Sequence, residues 1–202
     1  MAGRAFGLMW RVLALAATLA IAGCVHADAP SRTINFDEHS SSAIVVAGLD
    51  APDGFRNAHM VWQLLDDSPD TRFRTTIEFE ITRGNHLIAG DPETKFFQVL
   101  EVRHPGKYAL IRAITNVPNA ITYFEGKAPV IEVRPGEVTY IGDFYLAALL
   151  HPLQFKFNGY DDAGAAAALA SQYPGIKGAI HHAPVSFAQI DLDADHTQHL
   201  HP

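Results

Sequence analysis

From residue 43 onward, apolar and polar positions alternate with a period of two. Ile77, Phe79 and Ile81 are interleaved with Thr76, Glu78, Glu80 and Thr82, the pattern of a strand with one buried and one wet face. Leu153, Phe155 and Phe157 alternate with Gln154 and Lys156 in the same way. Further strands are predicted at 43–49, 58–65, 95–103, 107–115, 129–134 and 137–146. Within 95–103 the parity switches, Phe97 and Val99 sharing one face and Leu100 and Val102 the other. A bulge or burial of both faces produces that switch. Ile77, Phe79, Ile81, Phe155 and Phe157 are the expected core.

Turn chemistry separates these runs. His104-Pro105-Gly106-Lys107 and Arg134-Pro135-Gly136-Glu137 each place Pro-Gly between strands. Proline presets the first turn dihedral and glycine takes the positive φ of the second, which predicts two type II turns. Short strands at near-regular spacing predict a mainly β fold, an antiparallel β-sandwich. One short C-terminal helix is expected. Asp161 and Asp162 suit a helix N-terminus, residues 163–173 are strong helix formers, and Pro174-Gly175 stops them. Leu169 and Tyr173, four apart, would dock the helix on the sandwich. The apolar run 144–150 is expected beneath it.

Residues 1–23 read as a signal. Arg4 and Arg11 are its charges, no acid precedes Asp28, and residues 12–23 are apolar or small apart from Thr18. Twelve helical residues rise about 18 Å, short of the roughly 30 Å hydrocarbon core, so the run is a signal h-region and not a permanent span. It ends in Ile21-Ala22-Gly23-Cys24, which resembles the lipobox of bacterial lipoproteins, and Cys24 is the sole cysteine of the chain. The resemblance implies cleavage between Gly23 and Cys24 and acylation of the Cys24 sulfur. Several acyl chains hold a protein in a membrane essentially permanently. Val25 stands where an aspartate would signal inner-membrane retention. The lipoprotein resemblance thus implies the outer membrane, facing the periplasm, as the address. Residues 24–42, polar with scattered charge, read as a flexible tether; 43–176 would be the sandwich with its helix, and 177–202 a His/Asp-containing tail.

The segments "PGKYALIRA", "FEGKAPVIEVRPGEVTYIGDFYL" and "DDAGAAAALASQYPGI" are similar to a group of bacterial envelope lipoproteins with a transthyretin-like, carboxypeptidase-regulatory-like (Ig-like) β-sandwich. The similarity spans residues 43–176, about two-thirds of the chain. Its motifs are structural: a Pro-Gly-x-Tyr turn before a strand, and a Gly-Glu-Val-x-Tyr-Ile-Gly strand leading to a helix that ends at Tyr-Pro. They imply a fold and leave activity open.

Composition narrows the function. The 202 residues carry 15 basic and 22 acidic side chains, a formal net charge of −7, which argues against a nucleic-acid partner. A lone cysteine excludes an internal disulfide and a thiolate-rich zinc site. Gly-x-Ser-x-Gly, His-Glu-x-x-His, glycine-rich phosphate loops and Cys-x-x-Cys are all absent from the sequence. No catalytic residue and no cofactor is therefore assigned. Glu78 and Glu80, two apart on a strand, fall on its wet face. Asp143, inside "TYIGDFYLAALL", must face water or find a partner. Among 11 histidines, His181 and His182 are adjacent and would face opposite ways on a strand. His196, His199 and His201, near Asp191, Asp193 and Asp195, are the candidate metal ligands of the tail. The expected function is a non-catalytic, lipid-anchored envelope protein that binds another envelope component. The alternatives are a zinc- or copper-binding lipoprotein using the tail, and a periplasmic hydrolase.

Overall fold

The computed structural model describes residues 27–50, 58–65, 76–81, 95–116, 119–124, 126–147, 154–184, 186–192 and 198–200. Twelve strands and one helix lie among them. The strands are β1 (Ala43–Asp50), β2 (Ala58–Leu64), β3 (Thr76–Ile81), β4 (Phe96–Val102), β5 (Gly106–Asn116), β6 (Asn119–Tyr123), β7 (Gly126–Val133), β8 (Val138–Ala147), β9 (Gln154–Gly159), β10 (Ile180–His182), β11 (Ser186–Leu192) and β12 (Gln198–Leu200); the helix, α1, is Asp162–Gln172. The fold is mainly β, as the alternation predicts. The first sheet has the order β10-β8-β1-β4, with β9 also on β8; the second runs β12-β11-β7-β5-β2-β3, with β6 also on β5.

The second sheet is antiparallel throughout. The first is mixed, because β8 runs parallel to both β1 and β10. This corrects the fully antiparallel expectation. The cause is legible in β1: residues 43–49 are all buried, a continuous apolar run of the kind that lies between covered faces beside a parallel neighbour. Ala43, Val45, Ala47 and Leu49 face the second sheet and meet Trp62, Phe79, Tyr108 and Ile131 in the inter-sheet core. Ile44 and Val46 face the other way, toward Ala165 and Leu169 of α1. In β4 the parity switch is double burial and not a bulge. Its register against β1 is unbroken, with Val99 on the helix side and Leu100 and Val102 in the inter-sheet core.

Asp161 caps α1, accepting a hydrogen bond from the Gly164 N–H at 2.9 Å. The helix covers β1 and β4; Phe144 instead packs between the sheets, and the side chains of 146–150 lie outside the described residues. Gly136 has the expected left-handed φ of 71°. Gly106 does not: it is the first residue of β5, paired extended with Val133. Its lack of a side chain serves space, since a Cβ there would lie 2.7 Å from Leu64 Cδ1.

Both ends of the predicted domain are extended. The presumed tether is docked from residue 27 on. Ala27 N–H donates to the Thr76 carbonyl at 3.1 Å, and Glu101 N–H to the Asp28 carbonyl at 2.7 Å. Phe36 is fully buried against Ile44, Val46 and Val138. The presumed tail supplies β10, β11 and β12, and Ala183 and Ile190 are buried. Apolar residues at Phe36, Ile180, Ala183 and Ile190 find open sheet edges and an uncovered sheet face, and burial there outweighs the polar character of their neighbours. No helix among the described residues is long and apolar enough to cross a membrane.

Candidate functional site

Two features stand out on this frame, a polar clamp and an aromatic cleft. The clamp begins with an irregularity in β8. Between Val46 and Gly48 of β1, the partner moves from Tyr140 to Asp143, so β8 holds one extra residue, and Gly142 takes a φ of 103°. This bulge brings Tyr140 and Asp143, which would face opposite ways in a regular strand, to one side. Tyr140 donates its hydroxyl to Asp143 Oδ1. Lys95 Nζ reaches Asp143 Oδ2 at 2.8 Å and Asp161 Oδ2 at 2.5 Å. The Asp161 N–H returns to the Tyr140 hydroxyl at 3.0 Å.

Burial opposes charge on Lys95, but its hydrogen bonds to Asp143 and Asp161 outweigh that and raise its pKa. The Lys95 hydrogen bond, with the Gly164 N–H, holds the Asp161 carboxyl below the usual carboxylate range. Burial, reinforced by Asp143, raises the Tyr140 hydroxyl. Each carboxylate oxygen of the pair already has a donor, so the cluster ties β4, β8 and the helix N-terminus together. Asp143 is 6% exposed, and among the described residues its carboxylate is held by Lys95 and Tyr140 and by no histidine.

Next to the clamp, Tyr160 stacks on His182 with ring centroids 3.9 Å apart, and His182 Nε2 lies 2.6 Å from Asp162 Oδ1. His181 and His182 both border a groove of about 750 Å³ between α1 and β10. The short edge strand lets both imidazoles reach the surface.

The cleft lies where the inter-sheet core runs out. From the second sheet come Trp62 on β2, Lys127 and Pro129 on β7, and Phe187 on β11 opposite Pro129. Phe144 on β8 and Phe157 on β9 form the opposing wall, and Phe124 adds a further ring. The space is about 550 Å³. Trp62 and Phe144 meet edge to face at 6.3 Å, and Phe144 and Phe157 are tilted to one another at 5.7 Å. Phe157, expected in the core, is 42% exposed, and Phe187 is 56% exposed. Phe157 falls on the open end of the sheet pair, where no facing strand covers it among the described residues. Ile77 and Phe79 are buried as expected; the side chains of Ile81 and Phe155 are outside the described residues.

The remaining predicted site residues are placed as follows. Gly23 and Cys24 lie outside the described residues, as do His196 and His201. His199 is in β12, its backbone opposite Asp191, with its side chain undescribed. Among the described residues no three His, Cys, Asp or Glu side chains converge as a metal site. Glu78 is partly covered and lies 3.0 Å from His59 Nδ1, while the Glu80 side chain is undescribed. The cleft escaped sequence reading because its walls come from five strands far apart in the chain. The local signal was the alternation of Phe187 and Gln189 with Ala188 and Ile190, the mark of a strand in the presumed tail.

No family model matches the chain, and no curated protein matches it. A solved structure of a proposed cell adhesion protein from Bacteroides ovatus is similar in part, with a TM-score of 0.32 and 10% identity over 59% of this chain and 45% of that one. This chain thus spans under half of that protein, a likeness too slight to carry fold or function across.

Proposed function

We propose that this protein is a lipid-anchored component of the bacterial envelope that works by binding at the aromatic cleft. One observation carries the binding reading: an apolar space between the sheets, with Phe157 and Phe187 left partly in water at its mouth. A folded chain gains by covering such rings, and contiguous exposed apolar surface on a soluble domain marks an interaction site. The anchor rests on Ile21-Ala22-Gly23-Cys24 following a short h-region. Its transthyretin-like kinship and outer-membrane address rest on the sequence resemblance.

The anchor is tested by intact mass. Protein from membranes is expected to lack its first 23 residues and to carry acyl groups on Cys24, and Cys24→Ala is expected to leave the membrane fraction. An unmodified Cys24 in the wild-type protein refutes it. Binding is tested in cells with a photoreactive phenylalanine analogue at Phe187 and, as a control, at the exposed Lys177. An adduct at 187 and none at 177 is expected; equal labelling at both, or none, refutes the cleft as the working surface.

A further inference from the structure

We propose that the cleft takes a single-chain anionic amphiphile, an acyl chain ending in a carboxylate, with the chain between the sheets and the anion at Lys127. This deepens the binding reading and rests on it.

Two observations choose this ligand. First, the space has the shape of missing core. Facing sheets pack about 10 Å apart, one interdigitated layer of side chains. Where that layer is absent, the gap admits a slender apolar body and excludes a folded protein surface. At about 550 Å³ it falls within the roughly 300–1,000 Å³ of ordinary small-molecule pockets. Its described walls are aromatic rings and a proline apart from Lys127, a lining suited to an apolar body and poor in partners for a row of hydroxyls.

Second, the one charge in the described lining is a cation. Lys127 Nζ stands 5.1 Å above the Phe187 ring and forms no ion pair with any described carboxylate. In a chain of net charge −7, an ammonium at the rim of an apolar cleft, without a partner among the described carboxylates, selects an anion. An alkane or a cationic detergent would leave that ammonium without a partner.

The experiment uses the mature chain with Cys24→Ala behind a conventional secretory signal, so that it carries no acyl chain of its own. Of the two tryptophans, Trp10 is lost with the signal, and Trp62 alone reports occupancy of the cleft. Decanoate, decanol and decyltrimethylammonium are titrated below their micellar concentrations, by calorimetry and by Trp62 fluorescence. Decanoate is expected to bind one to one and to shift Trp62 emission, decanol more weakly, and the cation most weakly. Lys127→Gln is expected to weaken decanoate about tenfold and to leave decanol unchanged. Phe187→Ala, at an exposed position, is expected to weaken both without changing the melting temperature. Equal affinity for all three, or indifference of decanoate to Lys127→Gln, overturns the anionic assignment while the apolar binding site stands. Tighter binding of 1-naphthoate than of decanoate overturns the acyl chain in favour of an aromatic acid. Binding by none of the four overturns this proposal; adducts at Phe187 in cells would still uphold the cleft as a binding surface for something else.

Discussion

A β-carbon on Gly48 would stand 1.9 Å from Oδ1 of Asp143 and 2.9 Å from its Cγ. The carboxylate cannot swing aside without leaving Tyr140 and Lys95, so the bare backbone of β1 is what admits the clamp. Gly48→Ala is expected to cost about 1–3 kcal/mol, the range of overpacking in a filled interior, read as a lower urea midpoint at unchanged m-value. The clamp also sets a pH dependence. Asp161 has a lowered pKa, so its contribution is complete above the unfolded carboxylate value of about 3.9 and is lost as pH falls through the folded value. Lys95 has a raised pKa, so its contribution is complete below the unfolded value of about 10.4 and is lost as pH rises through the folded one. Lys95→Met leaves Asp143 buried without its cation and is expected to cost about 1–3 kcal/mol at neutral pH. Thermal melts across the pH range should show the gap between wild type and variant level from about pH 4 to 10 and narrower outside it. A gap that is constant through pH 3 would contradict the assignment.

Among the elements, those whose partners lie along the local pattern were the readable ones. The alternation at Ile77 and Phe79, the helix formers after Asp161 and the turn at Gly136 each follow from a few neighbouring residues. What escaped depends on distant partners. The parallel pairing of β1 with β8 joins residues about ninety positions apart, and β11 becomes a strand because β7 offers an unpaired edge. Polar neighbours disguised such segments as tether and tail: Phe36 stands among Asn35, Asp37 and Glu38, and Ile190 between Gln189 and Asp191. Phe36 is the sharpest test of the difference. It is 1% exposed, and its N–H and carbonyl bond Gly175 and Lys177 at 3.1 and 2.8 Å, strapping the start of the domain to the segment after α1. Phe36→Ala is expected to destabilise by about 3–5 kcal/mol through lost burial and a residual cavity, measured by chemical denaturation. A tether residue would change nothing.

For the whole molecule, the clamp was half visible: Asp143 stood out as a carboxylate in an apolar run, but its cation, Lys95, lies 48 positions away. The cleft was invisible, since emptiness between two sheets has no sequence pattern. The docking of Ala27 and Asp28 against Thr76 and Glu101 has a consequence for reach. With an acylated Cys24, only Val25 and His26 would separate the lipid-bearing residue from the first fixed point of the domain, a leash of three residue steps and about 10 Å when fully extended. A protein so held cannot sweep the space above the membrane in search of a distant target. So anchored, it would ride on the bilayer with the Thr76 and Glu101 rim turned toward the headgroups, and would sample only what diffuses in, or lies on, that surface. Orientation, usually surrendered by a lipid anchor, would here be built into the first folded residues of the chain.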